Sequence, residues 1–334
     1  MTVPNENSQE TKDKLNREST KSRKVEMDVI IVVHTEFGFI RNREVIYNKK
    51  ATDGASKGVL NLIKIADKYG AKVTFAVMPE VAKVFPKEIT HEVGLHVHAG
   101  WEEFRSGEYS YTVGDKYLRE HCHQSSTSTV LRGYPYNEQL DMIQTGIDHL
   151  SDILERRPTT FVAGRWSLDN NTVKALINTK IERDCSAPAH SRFPHYDWSK
   201  LPRICMPYYP DEYDYQKTGN LPLLIIPISQ MFPKGSVSPE IVPKIGLPWL
   251  KACFIEYYNQ KMPLFHICLH SPCMTDPYFI SVMDNYLSFI SRHKNVNFKF
   301  ASEIHKYNPV NPSTSIYPYV QRIIETITDK IQSK

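Results

Sequence analysis

Short runs of apolar, mostly β-branched residues recur along this chain, and between them lie longer stretches in which apolar positions return every three or four residues. The first pattern is that of buried strands, the second that of amphipathic helices. Residues 27–33 read as a first strand. A helix over 55–69 follows, with Val59, Leu60, Leu62, Ile63 and Ile65 on one stripe and Gly70 as its stop, and a strand over 72–78 completes a β-α-β unit. Further strands are expected over 93–98, 160–163, 181–185, 223–228, 264–270 and 297–301. Helices are expected over 137–156, from an Asp169 cap to 178, over 248–259 and over 278–292. This alternation predicts an α/β fold, a parallel sheet or barrel wrapped by helices, as one domain over 26–310. In the last stretch, 311–334, Val320, Ile323, Ile324, Ile327 and Ile331 fall at helical spacing, which predicts an amphipathic helix packed on the barrel.

Two stretches fit no element: 103–134, full of polar and turn residues, and 186–221, dense in Pro, Tyr, Asp and His. Long loops on such scaffolds often carry substrate contacts. Residues 1–25 hold almost no large apolar group, and a disordered polar tail is expected there. The tail has no signal-like apolar segment and no later run is long enough to span a bilayer, so a cytoplasmic protein without a membrane span is expected.

Of 334 residues 41% are hydrophobic, enough for a sizeable core. The 41 basic and 37 acidic residues give a net charge of +4, with no basic stripe interleaved with aromatics, which argues against nucleic-acid binding. The 6 cysteines contain no Cys-x-x-Cys pair, so a zinc ribbon is excluded and reduced thiols are expected. Composition leaves oligomeric state open.

The chemistry-bearing residues gather where strands end. His96 and His98 sit two apart on an expected strand, so both side chains point to one face and one ion could bind both. His34 and Glu36 end the first strand, and Glu36 offers a carboxylate to complete a two-histidine site for a divalent metal. A chain with 13 histidines will contain a His-x-His by chance. The stronger observation is that Arg165, Asp184 and His270 also fall at the ends of expected strands, where ligands bind in α/β folds. His121 and His123 have no such context and read as surface residues. His190 and His195, with Asp197 and Trp198, lie in the Pro-rich loop and either approach the site or are solvated. Tyr208, Tyr209, Tyr213 and Tyr215 in that loop either stack on a sugar or cement it.

In this order the segments resemble the polysaccharide deacetylase family, the NodB-homology or carbohydrate esterase family 4 group, from about residue 25 to residue 307. The similar segments are Glu92-Val93-Gly94-Leu95-His96-Val97-His98, Ala163-Gly164-Arg165-Trp166-Ser167-Leu168-Asp169, Ile181-Glu182-Arg183-Asp184-Cys185-Ser186 and Cys268-Leu269-His270-Ser271-Pro272. The resemblance implies a distorted (β/α) barrel of about seven strands, with loop insertions and the C-terminal helix. It also implies metal-dependent removal of an acetyl group from an N-acetylated or O-acetylated sugar, free or carrier-linked, in cell-surface glycan or polysaccharide metabolism. Carried over, the metal ligands are Glu36, His96 and His98, and the acid is His270, with Asp184 fixing its tautomer. Arg165 anchors the base or the oxyanion, and Trp101 and Trp166 contact substrate. The ion is expected to be zinc, with cobalt, nickel and iron also suited to two imidazoles and a carboxylate.

Three departures from the family pattern bear on function. His34 and Glu36 stand where the family offers two aspartates, so His34 is the base, a fourth ligand or the mark of lost catalysis. The second histidine of the usual i, i+4 pair is replaced by Gly100, and His98 must substitute. The proline after Arg165 is missing, so Trp166 either walls a pocket or packs in the core. The alternatives to a deacetylase are therefore a catalytically impaired protein that binds a glycan or partner, and an amidohydrolase acting on a non-sugar C–N bond.

Overall fold

A computed structural model describes residues 26–106 and 109–332. The polar stretch 1–25 lies outside the described residues.

The first strand, β1 (Met27–Thr35), is buried over its whole length because it is covered on both faces. Val29, Ile31 and Val33 join the larger core beneath the helices, while Ile30 and Val32 join a smaller cluster with Ala76, Val162, Leu224 and Leu264. The smaller cluster is the barrel interior. The other strands are β2 (Val73–Val77), β3 (Glu92–Val97), β4 (Thr160–Ala163), β5 (Arg183–Asp184), β6 (Leu224–Ile225), β7 (Leu264–His270) and β8 (Val296–Lys299). They pair in parallel in the order β6-β5-β4-β3-β2-β1-β7, and β8 also pairs with β1. β8 takes the start of one β1 edge, Met27 opposite Val296, and β2 takes the rest of it, from Ile31 opposite Val73. The result is the distorted barrel expected from the sequence.

The gap between β6 and β7 is bridged by irregular chain. Ser229 N–H donates to the His266 carbonyl at 3.2 Å and Cys268 N–H donates to the Val237 carbonyl at 3.0 Å. β5 and β6 are shorter than expected. Beyond Ile225 the pairing persists only as Ile226 N–H to Asp184 O and an isolated bridge between Pro188 and Ile228, because Pro188 and Pro227 have no N–H to give a ladder.

The helices α1 (Lys57–Lys68), α2 (Tyr136–Leu154), α3 (Asn170–Asn178), α4 (Leu247–Asn259) and α5 (Pro277–Ile290) pack on the sheet; of the stripe expected on α1, Val59, Leu62 and Ile65 are buried and Ile63 is half-buried, while Leu60 is exposed. The Asp169 cap forms, its side chain accepting from Thr172 N–H at 2.9 Å. The stretch 103–134, expected to be irregular, contains most of an antiparallel hairpin, Glu102–Ser106 with Tyr109–Val113, and a helix, Lys116–His121, capped by Asp115. Within 186–221 the one strand pair is Arg192–Phe193 with Tyr196–Asp197, beside isolated bridges at Pro188, Tyr208 and Pro210.

The final helix, α6 (Tyr317–Gln332), departs from expectation. Val320, Ile323, Ile324, Ile327 and Ile331 are all exposed, between 40% and 70%. The helix is held instead by Tyr319, whose hydroxyl donates to Glu256 of α4 at 2.7 Å and accepts from Phe232 N–H at 2.9 Å. Its ring packs on Trp249 at 4.8 Å. Helical spacing identified an apolar face but not what covers it.

No helix among the described residues is long and apolar enough to cross a membrane. All 6 cysteines are free.

Candidate active site

The two-residue period of the strands sets which side chains meet inside the barrel. On β1 the positions of Ile30 and Val32 continue to His34; on β3 the position of Gly94 continues to His96 and then His98; on β7 the position of Leu264 continues through His266 and Cys268 to His270. His34 is paired with His270 in the β1–β7 register and with Ala76 on its other edge. The imidazoles therefore share one end of the barrel, the C-terminal end of its strands.

Three ligand atoms converge there. His98 Nε2 lies 3.0 Å from His96 Nε2 and 3.2 Å from Glu36 Oε2, and His96 Nε2 lies 3.8 Å from the same oxygen. All three residues are buried, and one ligand atom from each lies within 4.8 Å of the others. His96 Nδ1 donates to the Val162 carbonyl at 2.9 Å, which fixes the tautomer that presents an Nε2 lone pair to the cluster. Burial alone would raise the Glu36 pKa, but the surrounding imidazoles of His96, His98 and His270 hold it well below the usual carboxylate range. The donor set is one carboxylate and two imidazoles around a common point, and it could hold a divalent cation. Gly164 is required beside it, since a Cβ there would meet His98 Cγ and the Val97 carbonyl oxygen at 2.7 Å.

Across the cluster, His270 Nδ1 lies 2.9 Å from Glu240 Oε1, and that oxygen also accepts from the His270 backbone N–H at 2.6 Å. Burial disfavours the imidazolium, but Glu240 outweighs it and the His270 pKa is pushed up to about 9. Its Nε2 faces Glu36 Oε1 at 3.5 Å and His34 Nδ1 at 3.3 Å. His34 is held neutral, its pKa lowered well below the ordinary value by burial and by its neighbours His270 and His96. A charged His270 beside a neutral His34 makes His270 Nε2–H the donor of their contact.

A cavity of about 370 Å³ opens over these groups, lined by His34, His98, His270, Arg165, Trp166 and Tyr196 among others. Arg165 lies 3.5 Å from Glu102 and 3.1 Å from a ring nitrogen of His195. Arg165 and Trp166 both have a φ of 55°, the left-handed region, which costs on the order of 1–3 kcal/mol for a residue with a side chain. This turn delivers both side chains to the cavity. The Trp166 ring meets His34 edge-on at 6.2 Å, so it is a pocket wall.

The structure thus gathers His34, Glu36, His96, His98, Arg165, Trp166 and His270. Asp184 is placed elsewhere: its carboxylate accepts from Ser186 Oγ at 2.5 Å, and the Nδ1 of His270 that it was expected to hold is taken by Glu240. Burial without a cation pushes the Asp184 pKa up to about 7. Trp101 is also corrected, because its ring lies under Lys49 Nζ at 3.2 Å and Arg119 at 3.9 Å rather than on the cavity. Of the loop histidines, His195 lines the cavity, whereas His190 Nδ1 bonds the Leu201 carbonyl at 3.2 Å. His121 and His123 are exposed, as expected. Sequence reasoning missed Glu240 and the half-buried Tyr47, which also lines the cavity. Glu240 lies on a Ser238-capped turn, and Tyr47 directly follows the short strand Glu44–Ile46, which the sequence pattern did not mark.

No protein-family model matches the chain, and no curated protein matches it. Solved structures do. A Mycobacterium smegmatis protein assigned as a polysaccharide deacetylase superposes with a TM-score of 0.55 at 13% identity, over 88% of this chain and 98% of its own. A Pseudomonas aeruginosa PAO1 protein assigned as a polysaccharide deacetylase and the allantoinase Puue each superpose with a TM-score of 0.52 at 16% identity, over 83% of this chain and 89% of theirs. The chain has the fold of these proteins.

Proposed function

We propose that this chain is a divergent polysaccharide deacetylase: a metal-dependent hydrolase that removes an acetyl group from an N-acetylated or O-acetylated sugar. The observation that carries the proposal is the convergence of Glu36, His96 and His98 beside an imidazole that Glu240 keeps charged. A buried carboxylate facing two imidazoles suits a divalent cation, zinc first among those that accept this donor set. When bound, such an ion polarises a carbonyl and lowers the pKa of water near it.

The protein's own groups supply the proton balance. His270, fixed by Glu240 through Nδ1, gives the proton on Nε2 to the departing amine or alkoxide. Through their 3.3 Å contact, His34 and His270 recover one proton from the water that supplies the new hydroxyl, so the pair ends each turnover as it began. Arg165 holds its positive charge beside the cavity and opposes negative charge that grows on the acyl oxygen. Trp166 and Tyr196, with rings meeting edge-on at 5.5 Å, offer an apolar wall to a sugar face.

The test is acetate release from a panel of N-acetylated sugars, O-acetylated sugars and simple non-sugar acetamides, with wild type compared against His270→Ala. Release from the sugars that falls at least a hundredfold in the variant is expected. Release from the non-sugar amides alone would move the activity to another C–N bond, and no release from any would make the pocket a binding site.

A further inference from the structure

The cavity over the candidate metal cluster is the inner of two chambers. A second, of about 690 Å³, lies against it, and His270, Trp166, Phe193 and Tyr196 line both. His270 marks the junction: its Nε2 faces His34 and Glu36, while Glu240, on its Nδ1, lines the outer chamber. A ligand with its acyl group inside would therefore pass His270 and place its leaving portion in the outer space. That space is within the range of small-molecule pockets, roughly 300–1,000 Å³.

The charge of the outer chamber is uneven. Arg43, Lys234 and Lys244 line it, against Glu44 and Glu240. Glu240 is committed to His270, and Glu44 pairs with Lys244 at 3.7 Å. Arg43 and Lys234 lie instead over aromatic faces, Arg43 at 3.6 Å from the Tyr278 centroid and Lys234 at 5.5 Å from that of Phe193. Neither has a carboxylate partner among the described residues. Two cations thus stand around an aromatic-walled space with no protein charge assigned to them.

We propose that the outer chamber is a subsite for an anionic group, a phosphate or a carboxylate, carried by the portion of the substrate that departs past His270. This rests on the hydrolase reading of the inner chamber and narrows its substrate to an acidic one. Arg43 and Lys234 supply the attraction, the aromatic wall takes the apolar face of the ring, and Glu240 stays bound to His270.

The test measures binding to the full-length, metal-loaded protein by calorimetry. The ligands are a neutral acetamido sugar, its phosphate monoester and the corresponding uronic acid. For exposed or half-exposed cations the expected preference for the better anion is roughly tenfold, and it should shrink as salt is raised. In Arg43→Gln with Lys234→Gln the preference should vanish while the neutral sugar binds as before, since neither side chain lies in the inner chamber. The phosphate and carboxylate arms distinguish the two sources of charge. Equal binding of all three ligands by wild type, or a preference that survives both substitutions, would overturn the subsite and leave acetate release from the neutral sugar intact as evidence for hydrolysis. Anion preference without acetate release from any ligand would retain the subsite and sink the hydrolase.

Discussion

Glu240 holds His270 twice through one oxygen, accepting its backbone N–H at 2.6 Å and facing its ring Nδ1 at 2.9 Å. The first bond fixes where the strand end lies, and the second fixes the ring and its charge. Glu240→Gln should leave the fold intact but remove the negative charge that raises the His270 pKa. A raised pKa keeps the acid protonated up to the alkaline limb of the rate profile, so the limb should move to lower pH in the variant. The expected loss in kcat is roughly tenfold or more with little change in KM, and partial recovery in Glu240→Asp. An unmoved alkaline limb would make Glu240 a structural prop only.

Gly164 gives His98 room. Gly164→Ala would place a methyl group 2.7 Å from the His98 ring and from the Val97 carbonyl, and the ring must move. Metal affinity should fall at least about tenfold, as it does when groups around a ligand histidine are disturbed. Competition against a chromogenic chelator reads it directly, and unchanged affinity would place His98 outside the ligand set.

Asp184 is buried and accepts only from Ser186, and its pKa stands at about 7 against an unfolded value of 3.8. The folded state therefore binds this proton more tightly than the unfolded state. The contribution to stability is fully present below about pH 4 and is lost as pH rises through 7, a span worth up to about 4 kcal/mol. Asp184→Asn cannot ionise, so its stability relative to wild type should improve between pH 4 and pH 7. Urea unfolding at both pH values tests this, and a constant difference would refute it. Asp115, raised similarly to about 7, is present in both proteins and cancels.

Tyr319 and Ile324 lie on one helix with opposite expectations. Tyr319 is 1% exposed and Ile324 is 58% exposed. Truncating the buried tyrosine to alanine should cost about 3–5 kcal/mol and release α6 from α4, whereas Ile324→Ser should stay within about 0.5 kcal/mol. Thermal unfolding of the two variants separates them, and equal losses would mean the isoleucine face is covered.

Much of the fold was legible because period two and period 3.6 are imposed by the backbone itself. The same alternation that buries Ile30 and Val32 brings His34 to the interior, and it does the same for His96 and His270. The cluster of Glu36, His96 and His98 could be read from three residues near strand ends for that reason. Glu240 could not, because it reaches His270 from a turn 30 residues away, and no period links a turn to a strand. Asp184 ends a strand as expected, but its register partners Phe161 and Ile225 belong to the outer core while Cys185 faces the barrel interior, so its carboxylate points away from His270 and is met by Ser186. The apolar face of α6 was visible and its environment was not, since moment and burial are separate facts.

The central claim is that Glu36, His96 and His98 bind one divalent cation. Elemental analysis of protein purified without added metal, and after zinc reconstitution and desalting, tests it most directly, with His96→Ala and Glu36→Gln carried alongside. One equivalent per wild-type chain and only traces in both variants is the predicted result. Trace metal in reconstituted wild type, or equal loading in the three proteins, would contradict it.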